Sequence, residues 1–118
     1  MRRPATVSES STVRRGEVWW VALDPTRGSE IRKTRPAVVL SANGINRARR
    51  TVVVVPLSTG PAPRPPIVVA TPSAGQESVA VCDQVRAVDK SRLSRVEGML
   101  SSAELRAVEA GLRAVLAL

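Results

Sequence analysis

The side chains best suited to chemistry lie in one polar stretch of the first half of the chain. The stretch contains Gly28, Ser29 and Glu30, and Arg35 follows immediately before Pro36. Arginine offers a permanent, forked positive charge that fits phosphate oxygens, while hydroxyls and carboxylates position or accept protons. Gly28 is the residue expected to permit an unusual backbone conformation. These groups suit phosphate esters better than amides.

Missing residue types exclude several mechanisms. The 118 residues include no histidine and one cysteine, Cys82. Catalytic triads, Cys-His pairs, paired catalytic histidines and the usual zinc sites are therefore excluded. The three aspartates are too widely spaced in sequence to suggest a two-metal carboxylate site. No glycine-rich phosphate-binding motif with lysine is present, so nucleotide hydrolysis is not indicated. We expect neither metal nor cofactor. RNA remains a suitable substrate because its 2′-hydroxyl supplies the nucleophile.

Positive charge is concentrated in the first half of the chain. Residues 1–50 hold 11 basic and 4 acidic side chains (+7), and residues 51–118 hold 7 and 6 (+1), which gives the total of +8. A basic surface of this kind attracts a polyanion, although a solvated basic face is the alternative. The candidates for general phosphate attraction are Arg32, Lys33, Arg47, Arg49 and Arg50.

The sequence predicts a single cytoplasmic domain with no membrane segment. A lone cysteine fits a reducing compartment, and the longest apolar run is too short to span a bilayer. The N-terminal arginines precede no apolar run, so a secretory signal is not indicated. Residues 1–13 are expected to form a disordered polar leader, and residues 14–118 form the domain.

Short apolar runs separated by turn residues predict a mainly β fold. Strands are predicted at residues 16–23, 36–40, 51–55, 67–70, 79–82, 84–88 and 96–100, with a helical turn within 43–50. Ser101 and Glu104 have the spacing of a capping box that begins a C-terminal helix. An apolar face of this helix contains Leu105, Val108, Leu112 and Val115. The pattern indicates a small, strongly bent antiparallel barrel with the helix packed on it.

Several segments, in order along the chain, resemble the MazF/PemK toxin endoribonucleases. They are R-G-E-V-W at 15–19, D-P-T-R-G-S-E at 24–30, T-R-P-A-V-V-L-S at 34–41, V-V-P-L-S-T at 54–59 and C-D-Q-V-R-A-V-D-K at 82–90. The resemblance extends over residues 14–118. The proline-rich segment 59–66 departs from the family pattern, so no RNA sequence preference is carried over.

The resemblance implies a homodimer of small β-barrels, each with a C-terminal helix. It implies metal-independent cleavage of single-stranded RNA at short sequences, by 2′-hydroxyl attack that leaves a cyclic phosphate. It also implies a cognate MazE-like antitoxin whose acidic, disordered tail covers the RNA groove.

Site residues follow from the matched motifs. Arg35 corresponds to the catalytic arginine before proline and would stabilise the phosphate, since arginine does not release its proton readily. Ser58 stands where the family usually has a catalytic threonine, and Thr59 could share or take that role. Glu30 would accept the 2′-hydroxyl proton or bind a base, and Ser29 would lie near the scissile phosphate. A solvated turn is the alternative for this last pair.

Two further RNA-binding residues are predicted in the 82–90 segment. Gln84 and Arg86 would alternate on one strand and face the same side, so that Gln84 reads a base edge and Arg86 holds a phosphate. Asp83 would point the other way, and Cys82 would be a small packed residue. A simple exposed strand face is the alternative.

Two other functions compete with RNA cleavage. One is a protein-binding toxin of the CcdB type, which poisons DNA gyrase and resembles this barrel. The other is a relative that only sequesters an antitoxin. The 28–30 loop followed by Arg35 favours the endoribonuclease, because a gyrase-binding protein does not need these groups.

Overall fold

The computed structural model describes residues 12–23 and 33–118, and residues 1–11 of the predicted leader lie outside this part. The described strands are β1 (Glu17–Ala22), β2 (Thr34–Val39), β3 (Thr51–Ser58), β4 (Val68–Ala70), β5 (Val79–Val81), β6 (Arg86–Asp89) and β7 (Leu93–Met99). The helices are α1 (Asn43–Ala48) and α2 (Ser102–Leu116). Neither is long and apolar enough to cross a membrane.

The strands form one antiparallel sheet in the order β4-β5-β3-β2-β1-β7. The long strand β3 has two partners on the edge opposite β2. Its first half, Thr51 to Val54, pairs with β6, and its last two residues pair with β5. The sheet bends around a core, and no ladder between β6 and β7 closes it in the described residues. The predicted fold, mainly β with a C-terminal helix, is confirmed.

Both faces of the central strands are buried, which explains their continuous apolar sequences. In β2, for example, Ala37 and Val39 face one core cluster, and Val38 faces another. The inner cluster consists of Val13, Trp19, Val21, Leu23, Ala37, Val39, Val52, Val54, Val88 and Leu93. The outer cluster consists of Val18, Val38, Leu40, Val55, Leu57, Val69, Ala80, Cys82, Leu100 and Val108.

Helix α2 covers the outer cluster. Val108 is fully buried there, and the remaining residues of the predicted apolar face pack against it. The capping box is also present, because the Ser101 side chain accepts from the Glu104 N–H while Glu104 accepts from the Ser101 N–H. Both predictions for this helix are confirmed.

Several boundaries differ from the sequence prediction; β7, for example, begins at Leu93 and not at residue 96. Two of the differences affect the end of β3 and the core. Strand β3 continues through Pro56 to Ser58, because Pro56 lies opposite Ala37 in the ladder although it lacks an N–H to donate. Near the N-terminus, the predicted leader ends at residue 13, whereas Val13 is buried in the inner cluster.

Gly111 allows α2 to approach its neighbours closely, and we predict that Gly111→Ala destabilises the protein. An added Cβ would lie 2.5 Å from both Cys82 Sγ and the Pro66 carbonyl oxygen. Alanine favours a helix interior by about 1 kcal/mol over glycine, but overpacking typically costs about 1–3 kcal/mol. We expect a net loss, measured by urea unfolding followed through tryptophan fluorescence.

Gly44→Ala is the matched control for this substitution. A Cβ at Gly44, in α1, meets nothing within 4 Å. This variant should therefore equal or exceed the wild type in stability. A Gly111→Ala protein as stable as Gly44→Ala would show that the close approach of α2 does not limit packing.

Candidate active site

A small cleft forms where β2 begins and β3 ends. Its volume is about 80 Å³. It is lined by Arg35, Pro36, Leu57, Ser58 and Thr59, and by Ala74 and Ser78 from the β4–β5 connection. This Arg35 cleft brings together three residues that the sequence predicts as functional: Arg35, Ser58 and Thr59.

The strand register accounts for the proximity of Arg35 and Ser58. Ala37 lies opposite Pro56 and Val38 opposite Val55. The paired residues of this ladder end there, and the same register counted two residues further would bring Arg35 opposite Ser58. In agreement with this, both residues line the same cleft. Both side chains are half-buried, so a guanidinium and a hydroxyl border one sheltered space.

The two adjacent hydroxyls differ in their surroundings. Ser58 is the last residue of β3, is paired with Val79 of β5, and accepts a hydrogen bond from the Gly60 N–H at 3.3 Å. Thr59 lies one residue beyond the strand and is exposed. Ser58 is therefore the more firmly positioned hydroxyl.

A larger cavity lies next to the Arg35 cleft. Its volume is about 360 Å³, and it is lined by Thr59–Pro63, Ala70 and Gln76–Val79. Thr59 and Ser78 line both spaces, so the two are neighbours. The proline-rich segment that departs from the family pattern thus forms one wall of the larger cavity.

A hydrogen-bonded turn forms another wall of the Arg35 cleft. Thr71 and Ser78 are buried, and their hydroxyl oxygens are 3.0 Å apart. The Thr71 N–H also donates to the Ser78 carbonyl at 2.9 Å. No strand or helix pattern in the sequence indicated these two residues, because isolated hydroxyls next to apolar runs carry no periodic signal.

Glu104 connects this wall to helix α2. One carboxylate oxygen accepts from the Ser101 N–H at 2.9 Å, and the other accepts from the Ser73 N–H at 2.8 Å. Burial alone would raise the pKa of Glu104, but the hydrogen bonds from Ser73 and Ser101 outweigh it and lower the pKa. The sequence predicted only the capping role of Glu104.

We predict that Glu104→Gln destabilises the protein by about 1–3 kcal/mol at neutral pH, because one of the two part-buried N–H donors would face an amide N–H₂ instead of a carboxylate oxygen. The contribution of a carboxylate with a lowered pKa is present above the pKa of the unfolded chain, about 4.3. It is lost as pH falls through the folded-state pKa. Urea unfolding at pH 7 and pH 3 should show the difference between variant and wild type shrinking at pH 3.

Glu97→Gln provides the control for this prediction, since Glu97 is exposed on β7. This variant should stay within about 0.5 kcal/mol of the wild type at both pH values. An equal loss of unfolding free energy in Glu104→Gln and Glu97→Gln would show that the hydrogen bonds of Glu104 make no specific contribution to stability.

Arg86 lies in a different cleft from Arg35. This cleft of about 180 Å³ is lined by residues 22, 23, 86–88 and 92. The guanidinium of Arg86 donates to the Leu23 carbonyl at 3.4 Å, and that of Arg92 donates to the Ala22 carbonyl at 3.0 Å. Both arginines therefore hold the end of β1, at the start of the segment that contains Ser29 and Glu30.

The other end of that segment is fixed at Lys33. The Leu23 N–H donates to the Lys33 carbonyl at 3.0 Å, and Lys33 is exposed with a φ of 70°. The predicted site residues Ser29, Glu30 and Arg32 lie outside the described residues.

The predicted alternation of Gln84 and Arg86 is wrong. Cys82–Gln84 forms a 3₁₀ turn, and β6 begins only at Arg86. The turn arises because Cys82 is fully buried against α2 and its carbonyl accepts from the Val85 N–H at 3.2 Å. Gln84 is half-buried in this turn and does not line the Arg35 cleft.

The prediction that Cys82 is a packed residue is confirmed. Burial, together with the neighbouring Asp83 charge, raises the pKa of Cys82 to about 11. A thiol with so high a pKa is almost entirely protonated at neutral pH and is a poor nucleophile.

The described part of the Arg35 cleft offers a cation and hydroxyls, but no carboxylate. In residues 12–23 and 33–118, no group of three Cys, Asp or Glu side chains could hold a metal ion. The described groups can bind and orient a phosphate. A proton acceptor would come from another segment, and Glu30 is the candidate that the sequence predicts.

Comparison with known proteins gives consistent matches over most of the chain. Residues 14–116 match the sequence model of a family described as PemK-like, MazF-like toxin of type II toxin-antitoxin system. The chain is 38% identical over 110 residues to endoribonuclease MazF9 of Mycobacterium tuberculosis, covering 86% of this chain and 93% of that protein. It is 37% identical over 99 residues to endoribonuclease PemK of Escherichia coli, covering 76% and 74%.

Solved structures share the fold. MazF from Deinococcus radiodurans superposes with a TM-score of 0.81 at 23% identity, covering 92% of this chain and all (100%) of that one. An endoribonuclease in complex with its cognate antitoxin, from a mycobacterial species, superposes with a TM-score of 0.75 at 25% identity, covering 89% and 95%.

Proposed function

Because the chain belongs to the PemK-like, MazF-like toxin family of type II toxin-antitoxin systems, we propose that it is a sequence-specific, metal-independent endoribonuclease of the cytoplasm. Its substrate is single-stranded RNA. The observation that carries the proposal is the meeting of Arg35 and Ser58 in one cleft, since a forked cation beside a hydroxyl is what phosphate binding requires.

The reaction divides between the RNA and the protein. The 2′-hydroxyl oxygen bonds to the adjacent phosphorus, and the bond from phosphorus to the 5′ oxygen of the next nucleotide breaks. The departing 5′ oxygen takes up a proton from solvent water, so the products are a 2′,3′-cyclic phosphate and a 5′-hydroxyl. Arg35 stabilises the negative charge on the phosphate oxygens during attack. Ser58 orients one of these oxygens, and Glu30 accepts the 2′-hydroxyl proton.

We propose a homodimer regulated by a MazE-like antitoxin with an acidic tail. The net charge of +8 supports an acidic partner, and the mycobacterial relative of similar fold forms a complex with its cognate antitoxin. Light scattering at micromolar concentration should give twice the mass of the 12.6 kDa chain. A monomer at that concentration would contradict the dimer.

Cleavage of a mixed pool of long RNAs in the presence of a chelator tests the proposal directly. We expect cleavage to persist, with mapped ends that share a short sequence and carry cyclic phosphates. Intact RNA combined with inhibition of DNA gyrase would favour the CcdB-like alternative. The relatives that match this chain carry MazF or PemK names, so they give that alternative no support.

A further inference from the structure

A second basic cleft lies at the other end of β3 from Ser58. Its volume is about 250 Å³, and it is formed by the end of α1 with the two residues that follow, and by the end of β6 with the turn that follows. The cleft is lined by Arg47, Ala48, Arg49, Arg50, Asp89, Lys90 and Ser91. We call it the distal basic cleft. Four of its seven lining residues are cationic.

Hydrogen bonds fix the backbone that carries these cations. Asn46 is the buried residue of α1, and its amide donates to the Ser41 carbonyl at 2.9 Å. The Ser41 hydroxyl in turn accepts from the Val53 N–H of β3 at 3.0 Å. The Lys90 N–H donates to the Arg50 carbonyl at 2.8 Å, which joins the two walls. The arginines therefore project from a fixed backbone.

The charge of the distal basic cleft is largely uncompensated. Asp89 is its one carboxylate, and it already accepts from the Ser91 N–H at 2.9 Å and from the Ser91 hydroxyl. Arg50 lies 3.8 Å from Asp89. Within residues 12–23 and 33–118, no ion pair is formed by Arg47, Arg49 or Lys90. Four cations and one carboxylate leave a balance of +3 in this cleft.

We propose that the distal basic cleft binds the phosphodiester backbone of RNA outside the cleaved site. This inference rests on the proposed function. Arginine forks fit phosphate oxygens, and the cleft has one apolar lining residue, Ala48, so it lacks the apolar centre of a protein-binding surface. Four cations around a single apolar residue therefore favour the phosphodiester backbone, and an acidic peptide is the competing occupant that the test must exclude.

The geometry predicts the length of RNA that reaches this cleft. Seven steps along β3 from Thr51 to Ser58 span about 23 Å, at about 3.3 Å per residue. At about 3.4 Å per stacked nucleotide, that distance corresponds to about seven nucleotides. RNA that extends at least this far from the cleaved bond should therefore contact both sites.

The test compares an RNA of about five nucleotides around the cleaved bond with RNAs extended by about ten nucleotides on the 5′ or the 3′ side. Binding is measured with a 2′-deoxy nucleotide at the cleaved position, and cleavage with unmodified RNA. We expect one extension to improve wild-type affinity and kcat/KM on the order of tenfold at low salt.

Arg47→Gln/Arg49→Gln should remove this advantage of long RNA. The slope of log affinity against log salt concentration should flatten by about 1.4, since each phosphate contact with a single strand contributes about 0.7. Arg106→Gln/Arg113→Gln removes the same charge from exposed positions of α2 and should retain the advantage. Equal thermal unfolding temperatures would show that both variants are folded.

Several outcomes overturn the inference. The first is wild-type affinity that does not depend on RNA length. The second is an Arg47→Gln/Arg49→Gln protein that still binds long RNA better than short RNA. The third is an equal loss of affinity in this variant and in Arg106→Gln/Arg113→Gln. If Arg47→Gln/Arg49→Gln lowers the affinity for polyglutamate but not for RNA, the distal basic cleft binds an acidic protein segment and not RNA. Absence of cleavage together with length-dependent binding that requires Arg47 and Arg49 would contradict the proposed function alone.

Discussion

Replacing Arg35 with glutamine is expected to lower kcat/KM for RNA cleavage by about a thousandfold, which is the order of effect seen when a charged transition-state donor is removed. Arg35 borders the cleft together with Ser58, and the described cleft residues include no other cation. A neutral amide could still donate a hydrogen bond, but it would not offset the charge that develops on the phosphate. Single-turnover cleavage of a labelled RNA measures the loss.

Two further variants separate the charge of Arg35 from its shape. Arg35→Lys keeps the charge but loses the planar fork, so we expect a loss intermediate between the wild type and Arg35→Gln. Arg106→Gln removes an exposed arginine from α2 and should leave cleavage unchanged. Urea unfolding of each variant checks that the start of β2 is intact. Wild-type rates in Arg35→Gln would remove Arg35 from the mechanism.

Strand identity could be predicted from the sequence because it depends on local chemistry. The valines of β3 and the apolar run of β2 are β-branched or aliphatic and are bounded by turn residues, and both segments are strands. The exact end of β3 could not be predicted in this way. Whether a proline interrupts a strand depends on the residue that it faces in the neighbouring strand. Pro56 lies opposite Ala37 in the ladder, and β3 continues past it.

The meeting of Arg35 and Ser58 in one cleft could not be derived from periodicity. The two residues are 23 positions apart in sequence, and the antiparallel pairing of β2 with β3 brings the start of one strand near the end of the other. The family resemblance predicts that Arg35 and Ser58 are both site residues, but it does not say how they lie relative to each other. The register adds a reason to prefer Ser58 over Thr59, which the resemblance alone left open.

The turn at Cys82–Gln84 shows why the prediction for Gln84 failed. Alternating polar and apolar residues at 84–88 are typical of a strand, and β6 does cover the later part of this range. Tertiary packing overrides the pattern at its start, because Gly111 of α2 leaves space for the buried Cys82 and the backbone turns there. The same packing reason explains the role of Glu104, whose second contact is with Ser73, 31 residues away in sequence.

Ser58→Ala is expected to lower the rate of cleavage by about a hundredfold, as the loss of one oriented donor to a charged oxygen typically does. The hydroxyl accepts from the Gly60 N–H at 3.3 Å, which leaves its proton available to a phosphate oxygen. Ser58→Thr should retain most of the activity, because it keeps the hydroxyl. Single-turnover rates at saturating protein would isolate the chemical step from binding.

Thr59→Val and Ser94→Ala complete this test. Thr59 is exposed and lies beyond the strand, so removing its hydroxyl should cost less than about tenfold, the range of one neutral hydrogen bond. Ser94 also has a single hydroxyl contact at 3.3 Å, with the Trp20 carbonyl on β1, and Ser94→Ala should cleave at the wild-type rate. A large loss in Thr59→Val with a neutral Ser58→Ala would move the role to Thr59. The Thr59 hydroxyl would then bind the phosphate from beyond the end of β3. The pairing of β2 with β3 would not be what aligns the phosphate with Arg35.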